Sequence, residues 1–257
     1  MRALLLALLL PAPALADTFV LVPGAFAGAW AWDGVAERLR EAGHAVVQVE
    51  PKGQGEREGE NGPEVSVEDH VGDVLAAIEG AAESGPPVIL VAHSAGGRAA
   101  AGAWGRARDR VAAAVFVEAP APFAQDGFPA DGQALATVVT LYPDAADSGM
   151  MPPPPVRTGT YPRDLTPMSL RALYGAVAVE GRLPAGVMVV GKDSSLPGLR
   201  ALGEALAERD GWEVVVLEGG HDLPMEAPEA VAGVLLEMAK GVDQRRLDRH
   251  RQGGKAP

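Results

Sequence analysis

The chain has 257 residues, 34 Asp+Glu against 22 Lys+Arg for a net charge of −12, 47% hydrophobic residues and no cysteine. That length suits one domain, or one domain with a modest insertion, and it buries enough apolar surface to need neither disulfides nor a structural metal. The missing cysteines exclude thiolate catalysis, iron–sulfur clusters and cysteine-bound zinc, and the acidic balance argues against a nucleic-acid partner, which needs a basic face.

At the start, Met1-Arg2 precedes the apolar run Ala3 to Leu10 and then Pro11-Ala12-Pro13-Ala14-Leu15-Ala16. A short positive start, an apolar stretch and a closing Ala-x-Ala (Ala14, Ala16) predict an export signal over residues 1–16, cut near Ala16. As a helix the apolar run reaches only roughly 12 Å, against a hydrocarbon core of about 30 Å, so it does not read as a membrane anchor. No later segment approaches spanning length. The expectation is an exported protein, periplasmic or secreted, with no stable membrane span in its mature form.

Short, nearly continuous apolar runs follow: Thr18 to Val22, Ala45 to Val49, Val88 to Ala92, Ala113 to Glu118, Val187 to Val190 and Glu213 to Leu217. Strands buried on both faces of a parallel sheet read this way. Helical patterns lie between them at Trp32 to Ala42, Val67 to Glu83, Gly97 to Arg108, Gly198 to Glu208 and Pro228 to Lys240, several opened by a cap such as Ser66 or closed by a glycine such as Gly43. The alternation predicts an α/β fold with a doubly wound, mainly parallel sheet.

One stretch breaks the rhythm. From Pro120 to about Pro184 the chain is rich in proline, including the run Pro152 to Pro155, with two weak helical windows at Gly132 to Leu141 and Pro167 to Val179. Four consecutive prolines fit neither a strand nor a helix interior, and roughly sixty residues are too many for an ordinary connection. Residues 120–184 therefore read as a small cap over the sheet edge where sites lie, the other reading being a surface loop. Phe123, Phe128, Leu135, Val138, Leu141, Tyr142, Met150 and Met151 would either line a largely apolar site or form the cap's own core. The expected organisation is a core of residues 17–119 and 185–242, the cap between them, and a flexible tail over 243–257.

The strand at Val88 to Ala92 runs into His93-Ser94-Ala95-Gly96-Gly97 and then into a helix. A sharp strand-to-helix turn with small flanking residues lifts a central serine clear of the sheet tip as a nucleophile. Gly96 meets the requirement, while Ala92 stands where G-x-S-x-G has glycine. The hydroxyl needs a base. Of the five histidines, His44, His70, His93 and His250 read as structural or solvated. His221 follows the last strand in Gly219-Gly220-His221-Asp222, at the carboxyl edge where groups of open α/β sheets collect. The carboxylate behind it should end a neighbouring strand. Asp193 is the favoured candidate, because its strand lies nearer the His loop and the order Ser94, Asp193, His221 fits, with Glu118 as rival.

Two backbone N–H groups should receive the oxyanion. Ala95 supplies one, and Ala25, in the turn Pro23-Gly24-Ala25-Phe26-Ala27-Gly28 after the first strand, the other. The G-x-x-x-G spacing there does not match a dinucleotide-binding turn. Phe26, His93, Phe123 and Leu223 border these turns and the cap, and are the candidate substrate contacts. No metal site is expected.

With these pieces in place, the chain resembles the α/β-hydrolase superfamily over nearly its whole mature length. V-P-G-A-F-A-G-A-W-A-W (Val22 to Trp32) is similar to the H-G-A-x-x-G-x-W segment of the small esterases that include alkyl-salicylate and plant-hormone methylesterases and the hydroxynitrile lyases. A-H-S-A-G-G, V-G-K-D and G-G-H-D-L-P-M-E-x-P-E match the group's later motifs. The resemblance implies a six-stranded parallel core beginning at Thr18, a triad of Ser94, Asp193 and His221 with Ala25 and Ala95 as oxyanion donors, and hydrolysis of small-molecule carboxylic esters without a cofactor. Pro23 departs from the family's usual His. Asp222 and Gly24 stand where the lyases carry Lys and Thr, which argues against lyase activity. A ligand-binding member of the fold, or acyl transfer to another acceptor such as peroxide, are the alternatives.

Overall fold

The computed structural model describes residues 16–83, 85, 87–121, 132–155, 161–179 and 186–253. The expected export signal up to Leu15 and the expected cap residues Phe123 and Phe128 lie outside them. Within this range the sheet strands are β1 (Thr18–Val22), β2 (Ala45–Gln48), β3 (Val88–His93) and β4 (Val111–Val117), then, beyond a two-residue antiparallel ribbon of β5 (Met150–Met151) and β6 (Met168–Ser169), β7 (Val187–Gly191) and β8 (Glu213–Leu217). The helices are α1 (Asp33–Glu41), α2 (Val67–Ala82), α3 (Gly96–Arg106), α4 (Gly132–Leu141), α5 (Pro143–Ser148), α6 (Leu170–Tyr174), α7 (Pro197–Asp210), α8 (Leu223–Glu226) and α9 (Pro228–Gly253).

Six strands pair in parallel in the order β2-β1-β3-β4-β7-β8, as expected of the α/β pattern. Alternation along each strand builds two cores. Val20, Leu90, Phe116 and Met188 face one way, onto Val71 and Ile78 of α2, Trp104 of α3 and Leu206 of α7. Leu21, Val91, Val115 and Val189 face the other, onto Val35 and Leu39 of α1 and Leu235 of α9. Burial on both faces is why these strands read as unbroken apolar runs.

The chain leaves β1 toward β2 on one side and returns to β3 on the other, so the crevice between β1 and β3 is the switch point of the sheet, where α/β proteins hold their ligands. The turn after β1 and the Ser94 turn after β3 flank it.

Two boundaries differ from expectation. The segment from Asp243, expected to be a loose tail, continues α9 as far as Gly253; Gly241 alone does not stop a helix when the residues after it, such as Gln244 and Leu247, sustain one. The window Pro167 to Val179 holds only the one-turn α6, preceded by the β6 ribbon. The strap from Tyr161 to Ser169 is pinned to the body of the protein. The Thr166 N–H donates to the Phe26 carbonyl at 2.8 Å, Gln54 and Asn61 donate to the Pro167 carbonyl, and the Ser169 hydroxyl donates to that of Pro63.

Candidate active site

Ser94 has φ +49, a left-handed conformation that costs a non-glycine residue free energy and is held by its surroundings. Its N–H donates to the Val117 carbonyl at 3.2 Å, tying the turn to the end of β4. A side chain at Gly96 would collide with the Pro23 carbonyl, which is why the turn needs a glycine there. Gly24 is equally constrained. A Cβ there would sit 2.8 Å from His93 Nδ1 and 3.0 Å from Ser94 Cβ, so the turn after β1 lies directly against the serine turn.

The loop after β8 brings His221 Nε2 to 2.8 Å from Ser94 Oγ. Behind the ring, His221 Nδ1 lies 3.0 Å from Glu118 Oε2. A carboxylate accepts, so Nδ1 carries the proton and the Nε2 lone pair faces the serine hydroxyl. Glu118 is fully buried, has φ +47 and accepts from three donors: His221 Nδ1, the Ser194 hydroxyl at 2.5 Å and the Gly191 N–H at 2.7 Å. Burial is the largest influence and pushes its carboxyl up, but the donors together outweigh it and hold Glu118 below the ordinary carboxylate value.

Asp193, the favoured carboxylate from sequence, is not brought to His221. Its side chain is exposed, and its backbone N–H donates to the Gly219 carbonyl at 3.0 Å. The reason is geometric. His221 must reach Ser94 at the end of β3, so its far ring nitrogen lies over the end of the adjacent β4, where Glu118 sits, and not over β7. Proximity of the Asp193 strand to the His loop is real, and the residue serves that loop through its backbone.

His93 is buried, and its Nε2 lies 2.9 Å from the His221 carbonyl. A carbonyl only accepts, so His93 Nε2 carries the proton and steadies the loop behind the His221 ring. Burial, aided by the neighbouring His221, lowers its pKa to about 4.

Ala25 and Ala95 flank the serine, at the turn after β1 and at the start of α3, and among the described residues neither N–H is taken by a protein acceptor. A cavity of about 260 Å³ opens over this group. Ser94, His221, His93 and Ala25 line it, with Phe26, Ala27, Leu165 and Met225 supplying apolar wall. Phe26 and His93 thus stand where sequence put them. Leu223 does not: it is wholly buried in the core under α1 and α9. Of the cap residues, Leu141, Tyr142 and Met150 border a separate groove on the cap. Pro154, Tyr161 and Leu165 roof the cavity in their place. Met225 could have been found from its position one helical turn beyond His221; Tyr161 and Leu165, in a proline-rich strap without period, carried no such signal.

A model of the alpha/beta hydrolase family matches residues 19–234. The chain belongs to this family. A carbendazim-hydrolysing esterase from Nocardioides sp. (strain SG-4G) is 31% identical over 238 residues, covering 83% of this chain and 96% of the relative. The esterase PIR7B of Oryza sativa subsp. japonica is 38% identical over 104 residues, a stretch spanning 40% of this chain and 39% of that protein. Among solved structures, an extracellular alpha/beta-hydrolase from a Paenibacillus species superposes with a TM-score of 0.67 at 21% identity, covering 86% of this chain and 98% of that one. Methylesterase MES16 from Arabidopsis gives 0.63 at 20% identity, over 88% and 99%. This alpha/beta hydrolase is accordingly a carboxylesterase-type enzyme acting on small-molecule esters. Among its described residues no helix is long and apolar enough to cross a membrane.

Proposed function

We propose that this alpha/beta hydrolase cleaves carboxylic esters through an acyl-serine intermediate, with Ser94 as nucleophile, His221 as general base and acid, and Glu118 as the carboxylate that orients the ring and stabilises its charged form. The observation that carries this reading is the continuous chain from Ser94 Oγ through His221 to Glu118, at 2.8 and 3.0 Å. Ser94 Oγ bonds to the ester carbonyl carbon while its proton passes to His221 Nε2. The oxyanion is received by the Ala25 and Ala95 N–H groups, each worth about 3 kcal/mol in the transition state. Collapse breaks the bond to the alkoxide, which leaves with the proton from Nε2. Water then gives a proton to Nε2 and its oxygen to the acyl carbon, Ser94 recovers the proton, and the carboxylic acid departs.

The cavity's size and its Phe26, Leu165 and Met225 wall favour small or medium, largely apolar esters. Within the segment read as the cap, Pro154, Tyr161 and Leu165 supply its roof. The leader implies export after cleavage near Ala16, checked by N-terminal sequencing of the mature protein, which should start near Asp17. Treatment with a fluorophosphonate should give a single adduct on Ser94, and p-nitrophenyl esters of rising chain length should show a preference for short chains. Carbendazim, for which the Nocardioides relative is named, belongs in that panel. An unmodified Ser94 would overturn the mechanism.

A further inference from the structure

The charges around the cavity are one-sided. Its ionisable lining residues are His93, Tyr161, His221 and Asp222, and among the described residues no Lys or Arg lines it. His93 is neutral at pH 7 because burial depresses its pKa. The Tyr161 hydroxyl donates to Asp222 Oδ2 at 2.7 Å, and burial together with that carboxylate keeps the phenol protonated. The other Asp222 oxygen receives no hydrogen bond from the described residues. The cation next along the strap, Arg163, is paired outside the cavity with Glu56 at 3.2 Å. Glu226, at the end of α8 just beyond that loop, accepts from the Gly220 N–H through Oε2 and adds a further negative charge.

A carboxylate in the wall of a small, largely apolar cavity acts on a substrate through little intervening water, so its field is felt more strongly than at a surface. We propose that Asp222 is a specificity-determining residue, which excludes esters bearing an anionic group and admits neutral and cationic ones, a cationic or N–H-bearing substituent resting against the Asp222 oxygen that Tyr161 leaves open. This rests on the reading of the cavity as the ester-hydrolysing site. It also gives a role to the residue that stands where the lyases of the resembling group carry a Lys: the charge facing the substrate is reversed.

The test compares kcat/KM for p-nitrophenyl butyrate (neutral), mono-p-nitrophenyl succinate (anionic) and p-nitrophenyl 4-(trimethylammonio)butyrate (cationic). Ratios between substrates cancel any effect of a substitution on the neighbouring His221 that is common to all three. The wild-type enzyme should hydrolyse the succinate at least about tenfold less efficiently than the butyrate and the cationic ester at least as well as the butyrate. Asp222→Asn, which keeps shape and removes charge, should shrink the anion's penalty below about threefold and abolish any advantage of the cation. Tyr161→Phe, which keeps the carboxylate, should retain the discrimination. Equal wild-type efficiency on butyrate and succinate, or an unchanged ratio in Asp222→Asn, overturns the proposal while leaving the esterase reading intact. No turnover of any of the three, with no fluorophosphonate adduct on Ser94, overturns both.

Discussion

Glu118 Oε2 lies 3.0 Å from His221 Nδ1 although 103 residues separate them in the chain, and the same oxygen accepts the Ser194 hydroxyl at 2.5 Å. The carboxylate behind the imidazole thus comes from the end of β4, the strand next to the one that runs into Ser94, and the end of β7 with the loop after it supplies donors to it.

That arrangement separates the two carboxylates sharply. Glu118→Gln should lower kcat by about 10³ to 10⁴-fold, because an amide neither fixes the Nδ1–H tautomer nor stabilises the imidazolium. Asp193→Asn, whose side chain is in solvent, should stay within about twofold of wild type. Steady-state kinetics on one p-nitrophenyl ester decide between them.

Ser194 acts one step further back. Ser194→Ala removes one of three donors to a buried carboxylate, and kcat should fall by about tenfold with KM nearly unchanged. A change confined to KM would mean that Ser194 touches substrate instead.

The contact between the turns after β1 and β3 predicts intolerance at Gly24. Gly24→Thr must push against His93 Nδ1 and Ser94 Cβ, so the protein should lose about 1 to 3 kcal/mol in urea unfolding and at least tenfold in kcat.

His93 gives a pH dependence of stability. Its folded pKa, about 4, lies below the ordinary 6.5, so the unfolded chain binds the proton first. The term is absent above about pH 6.5 and becomes a growing penalty as pH falls toward 4, reaching about 3 kcal/mol. Glu118, held below its ordinary value, works in the same direction at lower pH, since its contribution is lost as pH falls through its folded value. Unfolding free energies measured from pH 7 to 4 should decline less steeply in His93→Gln than in wild type.

Away from the site, Ser66 and Asp69 form a reciprocal cap at the start of α2. Ser66→Ala should cost about 1 kcal/mol in denaturant unfolding without altering kcat.

The central strands were legible because burial on both faces leaves an unbroken apolar run: Thr18 to Val22 coincides with β1, and Val88 to Ala92 lies within β3. The serine turn and the His221 loop were legible because each needs glycine at a fixed place beside a strand end. The carboxylate that meets His221 was not, since both β4 and β7 run into a carboxylate and the choice depends on where the imidazole rests across three strand ends. The cavity roof was illegible for another reason. Tyr161 and Leu165 are placed by the pins of the strap to Phe26, Gln54 and Asn61, contacts between distant segments that leave no periodic trace.

Phe26, Ser94 and Glu118 are the non-glycine residues of the described chain with positive φ, at +66, +49 and +47, and they follow the adjacent strands β1, β3 and β4. Each is a place where glycine would relax the backbone. The backbone therefore carries a cost at three strand ends, each where the proposed mechanism needs a side chain: the wall beside the oxyanion turn, the nucleophile and the carboxylate. For this chain, on the proposed mechanism, relaxing the backbone at any of the three means giving up the side chain that stands there.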